Sequence, residues 1–314
     1  MSDLWQQDSP NSPMHAGSPM RSGSVEPDIL PPAGQTSNRT QNHGWYPPPE
    51  QQYSPPQSRQ PRSRPPGWAF APATYVLVGI NCAVYLGMVL TGASFWDPTI
   101  EKLLIWGANN GTLVLHYGQW WRLITAMFVH AGIIHIAANM WCLWNLGLLA
   151  EPLMGPFGVV ACYLLTGFAG NLLSVMRYPG VAGHPSIVGV GASGAVFGIA
   201  GALILLLNSP LLPLPRAELK RLRKSVIYFS VINLAIGLYT AVGPSPIKID
   251  NMAHLGGFLS GLLLGALMIP RIGAAKLRFE RRRFWSVIGM TFGLLLVTFW
   301  VHSFWMTAAL PKIK

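Results

Sequence analysis

The sequence predicts an all-α polytopic membrane protein, and its composition is the first reason. Of the 314 residues, 51% are hydrophobic and only 11% are charged, whereas a soluble domain carries about 25% charged residues. Seven uncharged apolar stretches follow one another after residue 66. Each approaches the length of about 20 residues that a helix needs to cross ~30 Å of hydrocarbon. The 12 Trp and 13 Phe residues suit aromatic belts at the lipid headgroups.

The first 66 residues have a different composition. They hold 14 of the 27 prolines, many Ser, Gln and Asn residues, and almost no Ile, Val, Leu or Phe. Such a segment cannot bury enough apolar surface to offset the entropy of ordering it, so we predict a disordered cytoplasmic tail over residues 1–66. Its five Arg and five acidic residues cancel, so the net charge of +11 lies among the apolar stretches. This distribution argues against a nucleic-acid partner and favours membrane topology.

The seven predicted spans are numbered in chain order. They cover residues 74–91, 132–150, 154–175, 191–208, 225–243, 251–270 and 284–308. The connection over 92–122 is rich in aromatic residues and Gly, and we expect it to lie at the membrane interface. The membrane domain is therefore expected over residues 67–270, followed by a basic loop and the seventh span over residues 271–314.

Lys and Arg residues predict the orientation of the spans. If there are seven spans, 13 basic residues fall on one face, before span 1 and in the loops after spans 4 and 6: Arg62, Arg64, Arg216, Lys220, Arg221, Arg223, Lys224, Arg271, Lys276, Arg278, Arg281, Arg282 and Arg283. The positive-inside rule then places the N-terminus in the cytoplasm and the C-terminus outside. A bacterial plasma membrane is the expected location.

Polar residues lie at the start of three of these spans. His135 and Asn139 are four residues apart on one face of span 2, Ser193 begins span 4, and His254 lies in the first turn of span 6. Because spans 2, 4 and 6 all begin on the outer face, we expect these four side chains in one leaflet. Polar groups at this depth indicate a functional site.

The four residues suit hydrolysis by a serine nucleophile. Ser193 needs a base to accept its proton, and His254 is the natural candidate. A tetrahedral intermediate needs hydrogen-bond donors aimed at its oxyanion, and we expect the Ser193 backbone N–H with the side chains of His135 and Asn139 to supply them.

Glycines accompany these residues. Gly191 and Gly194 flank Ser193 closely and would let the chain turn tightly beside a substrate backbone. Gly198, Gly257 and Gly261 are small residues at helical spacing, and such residues let membrane helices approach closely enough for a hydroxyl to meet an imidazole.

Together these motifs resemble the rhomboid family of intramembrane serine proteases. The residues that carry the resemblance are Gly191 to Gly194 around Ser193, Ala253 and His254 with Gly257 and Gly261, and His135 with Asn139; Trp121 with Arg122, His130 and Glu151 match further family positions. The similarity covers about residues 68–270. It implies a six-helix bundle with an appended seventh transmembrane helix, no cofactor, and cleavage of transmembrane substrates that enter near spans 2 and 5 beneath the loop around 243–250. Phe197 departs from the family, since many members have Tyr there.

Other interpretations are open from the sequence. Asp250 lies four residues before His254 and could complete a triad, although this puts its carboxylate one turn nearer water. His130, His135 and His254 could bind a metal, but the first two lie on diverging helix faces and no Cys or carboxylate joins them. A catalytically silent protein that binds or escorts transmembrane clients is the rival function. A transporter would predict an internal repeat, and none is evident.

Overall fold

A computed structural model of the chain describes residues 70–181, 183–209, 212, 215–242, 249–268 and 276–309. The chain divides into two units, Met1–Pro61 and Arg62–Lys314, and all described residues belong to the second. The tail predicted over residues 1–66 and most of the loop around 243–250 lie outside the described residues.

The described residues are mostly helical. In chain order the elements are α1 (Pro72–Leu90), α2 (Ile100–Ile105), β1 (Asn109–Asn110), α3 (Gly111–Leu115), α4 (Arg122–Thr125), α5 (Ile133–Arg177), β2 (Val188–Gly189), α6 (Ser193–Leu206), α7 (Arg216–Val242), α8 (Asn251–Met268) and α9 (Lys276–Ala309). Within the described residues, four helices are long and apolar enough to cross a membrane, namely Pro72–Leu90, Ile133–Arg177, Asn251–Met268 and Leu277–Thr307, and α6 is a shorter apolar helix.

The 45-residue helix α5 contains two segments. It is interrupted at Gly155, which has φ 73° and ψ 166° and lies between Pro152 and Pro156. A positive φ favours Gly, and Pro removes a backbone donor from the helix, so this sequence is suited to a sharp turn. The two segments correspond to predicted spans 2 and 3.

Hydrogen bonds to α1 show that the chain reverses at this turn. The Ile133 N–H donates to the carbonyl of Phe95, beyond the end of α1, whereas Glu151 accepts from the start of α1. Tyr163, in the second segment, then accepts a hydrogen bond from Asn81 in the middle of α1. The first segment of α5 therefore packs along α1, and the second segment returns past the middle of α1.

The connection over residues 92–122 is folded rather than extended. It contains α2, β1 and α3, and β1 pairs antiparallel with β2, with Asn109 opposite Gly189 and Asn110 opposite Val188. Helices of five or six residues are too short to show an apolar period, so sequence patterning gives no sign of them. The β1–β2 pair ties this connection to the strand that leads into α6.

Helices α6 and α8 run parallel in close contact. A Cβ on Gly257 would collide with the carbonyl oxygen of Gly194, and a Cβ on Gly261 would collide with that of Gly198. The same four-residue step on both helices, in the same direction, keeps their first turns at one end of the bundle. This small-residue contact is the one that the sequence predicts for these glycines.

Helix α9 packs along the bundle from one end to the other. At its start, Arg283 Nη1 donates to the carbonyl of Met154, 2.8 Å away. Towards its end, Val301 is fully buried, and the His302 ring meets Trp120 edge-on at 5.6 Å. The predicted all-α polytopic membrane fold is confirmed: the described residues are mostly helical, and α9 follows the helices that correspond to predicted spans 1–6.

Candidate active site

The first turns of α6 and α8 bring Ser193 and His254 together. His254 Nε2 lies 2.8 Å from Ser193 Oγ, which is hydrogen-bond distance for a hydroxyl and an imidazole. His254 is buried, with 6% of its surface exposed, and Ser193 is half-buried. A serine whose proton can pass to a neighbouring imidazole has the arrangement of an activated nucleophile.

An aromatic ring holds the imidazole from its other side. Phe197, one turn after Ser193 on α6, stacks on His254 with ring centroids 4.4 Å apart and planes inclined by 17°. The same phenyl ring meets Phe229 of α7 at 6.2 Å. The orientation of His254 is therefore set by packing between three helices.

Asp250 does not contact the ring of His254. Its Oδ1 accepts hydrogen bonds from the backbone N–H groups of Met252 and Ala253, and its Oδ2 accepts from the Ser174 hydroxyl. Burial raises the pKa of the Asp250 carboxyl, although these hydrogen bonds oppose the shift. Within the described residues His254 Nδ1 has no hydrogen-bond partner. Asp250 thus caps α8 and joins it to α5, and the described geometry is that of a pair rather than a triad.

The chain before Ser193 packs directly on His135. Gly191 has φ +111°, and a Cβ there would lie 2.8 Å from both Cε1 and Nε2 of the His135 ring. His135 Nδ1 accepts the Ala131 N–H at 3.3 Å, so the proton of the neutral ring lies on Nε2. That N–H is directed toward the loop that ends at Ser193. Gly191 is required both by its backbone conformation and by this contact.

Asn139 lies one turn below His135 on the same side of α5. Its Nδ2 donates to the His135 carbonyl at 2.9 Å and lies 3.6 Å from the position that a Cβ would occupy on Gly191. One N–H of the amide is therefore used within the helix, and the other has no hydrogen-bond partner among the described residues. The Ser193 N–H, in the first turn of α6, has no intrahelical acceptor because it starts the helix.

His130 contributes a contact that the sequence did not reveal. Its Nδ1 lies 3.2 Å from the carbonyl of Phe128, and its Nε2 accepts the N–H of Ala192, the residue before Ser193, at 3.4 Å. Burial lowers the pKa of His130, so the ring is neutral and can accept this hydrogen bond. The spacing of His130 from His135 gives no hint that it reaches the loop before α6, because that contact is made across the fold.

Trp121 and Arg122 lie outside this cluster. The Arg122 guanidinium donates to the carbonyls of Leu104 and Ala108, at 2.7 and 2.9 Å, and lies 4.6 Å from the Trp121 ring. Burial lowers the pKa of Arg122. Both residues therefore hold the folded connection after α1 and do not reach Ser193.

Glu151 lies at the other end of the bundle. Its carboxylate accepts the N–H groups of Ala73 and Thr74, both at 2.9 Å, and the Thr74 hydroxyl at 2.7 Å. These N–H groups belong to the first turn of α1 and have no intrahelical acceptor, and a negative charge there also suits the helix dipole. Glu151 thus anchors α1 to α5.

Comparisons with known proteins agree with this architecture. A Rhomboid domain matches residues 117–271. The chain is 31% identical to Rhomboid protease AarA of Providencia stuartii over 207 residues, which cover 62% of this chain and 72% of that protein. It is 29% identical to Rhomboid protease GluP of Bacillus subtilis over 231 residues, covering 73% of this chain and 41% of GluP.

A plant protein is also similar to the chain. RHOMBOID-like protein 1 of Arabidopsis thaliana is 39% identical over 175 residues, covering 55% of this chain and 40% of that protein. The chain thus spans about half or less of the length of several curated relatives that it matches.

Fold and site define an integral membrane protein in which a Ser–His pair lies between two parallel helices. The motifs, the domain match and the coverage of AarA together place the chain in the rhomboid family.

Proposed function

We propose that the chain is an intramembrane serine endopeptidase that cleaves transmembrane substrates through a Ser193–His254 dyad. The observation that carries the proposal is the 2.8 Å contact between His254 Nε2 and Ser193 Oγ inside the bundle. The two relatives that are named proteases, GluP and AarA, support the same class of activity. The catalytic unit is the membrane domain over residues 67–270, and it requires no cofactor.

In the proposed mechanism His254 acts first as a base. Its Nε2 takes the Ser193 proton while Oγ attacks the scissile carbonyl, and the protonated imidazole then gives this proton to the leaving amine. Water attacks the acyl-enzyme in the second half of the reaction, with the same histidine as base. Stacking on Phe197 takes the place of an orienting carboxylate.

The developing oxyanion needs donors on the side of Ser193 that faces α5. We assign this role to the Ser193 N–H and to the side chains of His135 and Asn139, supported by their positions around Gly191. Preorganised donors stabilise the charge that forms only in the transition state. His130 supports them by holding the Ala192 N–H.

Substrate access is proposed between the first segment of α5 and α7, which correspond to predicted spans 2 and 5. Much of the outer surface of α7 is apolar and exposed, including Val231, Ile232 and Leu238. A helical substrate that enters here must uncover its backbone before attack, so we expect helix-weakening residues near a small side chain at the cleavage site.

The membrane and the orientation are part of the proposal. The basic residues at the starts of α7 and α9 support a cytoplasmic N-terminus and an external C-terminus by the positive-inside rule. The first turns of α6 and α8 then face the outside of a bacterial plasma membrane. The substrates are expected to be transmembrane proteins with their cleavage sites in the outer leaflet.

The alternative is a silent rhomboid protein that binds transmembrane clients without cleaving them. Labelling the purified chain in detergent with a fluorophosphonate separates the two, because the probe reacts with an activated serine. We expect labelling of the wild type, and none in Ser193→Ala. A folded wild type that resists the probe under all pH conditions tested would favour the silent binder.

A further inference from the structure

A groove opens between α5 and α9 at the end of the bundle opposite Ser193. Its volume is about 390 Å³, and it is lined by Phe157, Glu280, Arg281, Arg283 and Phe284. The side chains of Phe157 and Phe284 are 48% and 50% exposed. In a membrane-embedded bundle these rings face lipid, so the groove combines apolar walls with two guanidinium groups at the interface.

Arg283 is held in place by the turn of α5. Its Nη1 donates to the Met154 carbonyl at 2.8 Å, and a Cβ on Gly155 would collide with the same nitrogen. The guanidinium also lies 5.5 Å from the Phe157 ring and 5.6 Å from the Phe279 ring. A guanidinium fixed in this way loses little further entropy when it binds an anion.

The guanidinium of Arg281, which lines the same groove, has no partner in the described part of the chain. Arg281 is exposed and makes no hydrogen bond or ion pair with any other residue that the structure describes. Arg283 uses one donor on Met154, and a guanidinium has five. The groove therefore presents unused donors whose planar geometry matches phosphate oxygens.

Membrane topology alone does not require this arrangement. The positive-inside rule asks for cations near the ends of spans, and freely solvated side chains satisfy it. Here one arginine is locked against a helix turn, a second lines the same cavity, and two phenyl rings extend from them toward lipid. A phosphate on a hydrocarbon chain complements both halves of the groove.

We propose that this groove binds the headgroup of an anionic phospholipid. Arg281 and Arg283 contact the phosphodiester, and Phe157 and Phe284 pack along the glycerol and the first part of an acyl chain. Glu280 lines the same cavity, so the phosphate lies on the arginine side. The bound lipid would bridge the turn of α5 and the start of α9.

Native mass spectrometry of the purified full chain tests the proposal, with phosphatidylglycerol and phosphatidylcholine of identical acyl chains. We expect one phosphatidylglycerol to bind more tightly than phosphatidylcholine. Arg281→Gln should weaken its binding about tenfold, because it removes charge-assisted hydrogen bonds to the phosphodiester. Glu280→Gln removes a repulsive charge and is expected to tighten binding.

Lys220→Gln is the matched control, because Lys220 is a basic residue of α7 that does not line this groove. We expect it to change phosphatidylglycerol affinity less than twofold. Equal binding of the two lipids, or equal weakening by Lys220→Gln and Arg281→Gln, would show general attraction to a basic surface and would overturn the proposal. Arg281 is exposed, so its variant tests the site without disturbing the Arg283 contact to α5.

Discussion

Phe197 stands where many rhomboid proteins have Tyr, and its ring lies 4.4 Å from His254. The phenyl ring keeps the stacking surface and lacks the phenolic hydroxyl. Because His254 Nδ1 has no partner within the described residues, the orientation of the imidazole depends on this stacking. The departure from the family pattern thus leaves the geometry of the pair intact.

Two substitutions at this position test the role of stacking. Phe197→Ala removes the ring and should lower turnover about tenfold or more, because a misplaced base loses its near-attack geometry. Phe197→Tyr is the matched control, since it keeps an aromatic ring, and we expect it to retain most of the activity. The measurement is kcat on a model transmembrane substrate, with thermal unfolding alongside. Equal activity of all three proteins would mean that stacking does not orient His254.

Asn139 offers a test of the proposed oxyanion hole. Removing one such donor typically costs ~10²–10³ in turnover, and because the Ser193 N–H and His135 remain, we expect Asn139→Ala to lie at the low end or below. Labelling of Ser193 by a fluorophosphonate should persist. His135→Ala should be at least as damaging, because Gly191 packs on that ring. If both variants cleave at the wild-type rate, the side chains of α5 do not contribute to the oxyanion hole.

Among the elements, α8 depends on its capping residue. Asp250 accepts two N–H groups of the first turn and the Ser174 hydroxyl of α5. Loss of an N-cap acceptor costs about 0.5–2 kcal/mol, so Asp250→Ala should lower the free energy of unfolding by that amount. Asp250→Asn keeps an acceptor oxygen and is the control that should retain the cap.

The contribution of the Asp250 carboxyl to the free energy of unfolding should change with pH in one direction. Burial raises the pKa of Asp250 above its ordinary value of 3.8, so folding favours the protonated form. The contribution of this group to stability is fully present below that ordinary value and is lost as pH rises through the raised pKa. In thermal unfolding between pH 4 and pH 8, wild type should therefore lose stability relative to Asp250→Asn as pH increases. A constant difference across this range would show that the carboxyl does not titrate between the two states.

Helix boundaries show how far the sequence predicts the elements. Span 6, predicted over 251–270, is the helix Asn251–Met268, because an uncharged run and an acidic cap mark its start. Spans 5 and 7, predicted over 225–243 and 284–308, are the longer helices Arg216–Val242 and Lys276–Ala309. Charged residues mark where a helix leaves the hydrocarbon, and helix formation continues past that point.

The candidate site was likewise predictable from the sequence only in part. Ser193, His254, His135 and Asn139 could be proposed from the sequence because each is a polar residue in an apolar segment. The hydrogen bonds from Ala192 to His130 and from Ser174 to Asp250 could not, because they join segments that are distant in the chain. The β1–β2 pair was missed for the same reason.

At the scale of the whole molecule, the proposed topology places the site near the outer face. Reporters fused after Arg62 and after Lys314 should read cytoplasmic and external respectively, as an odd number of spans requires. Removing residues 1–60 should leave cleavage in detergent nearly unchanged, because the residues proposed to act in catalysis begin at His135, far from the removed segment in the sequence. Two reporters on one side would contradict the seven-span count, and a tenfold loss of rate with normal expression would make the tail part of the mechanism.

The central claim is that Ser193 and His254 act as one catalytic unit inside the membrane. Its most direct test is cleavage of a model transmembrane substrate by purified chains reconstituted in liposomes: wild type, Ser193→Ala, His254→Ala and the double variant. Groups that act together lose activity non-additively, so each single variant should abolish cleavage and the double variant should be no worse, while all three still insert and fold. Cleavage at the wild-type rate by either single variant would contradict the dyad.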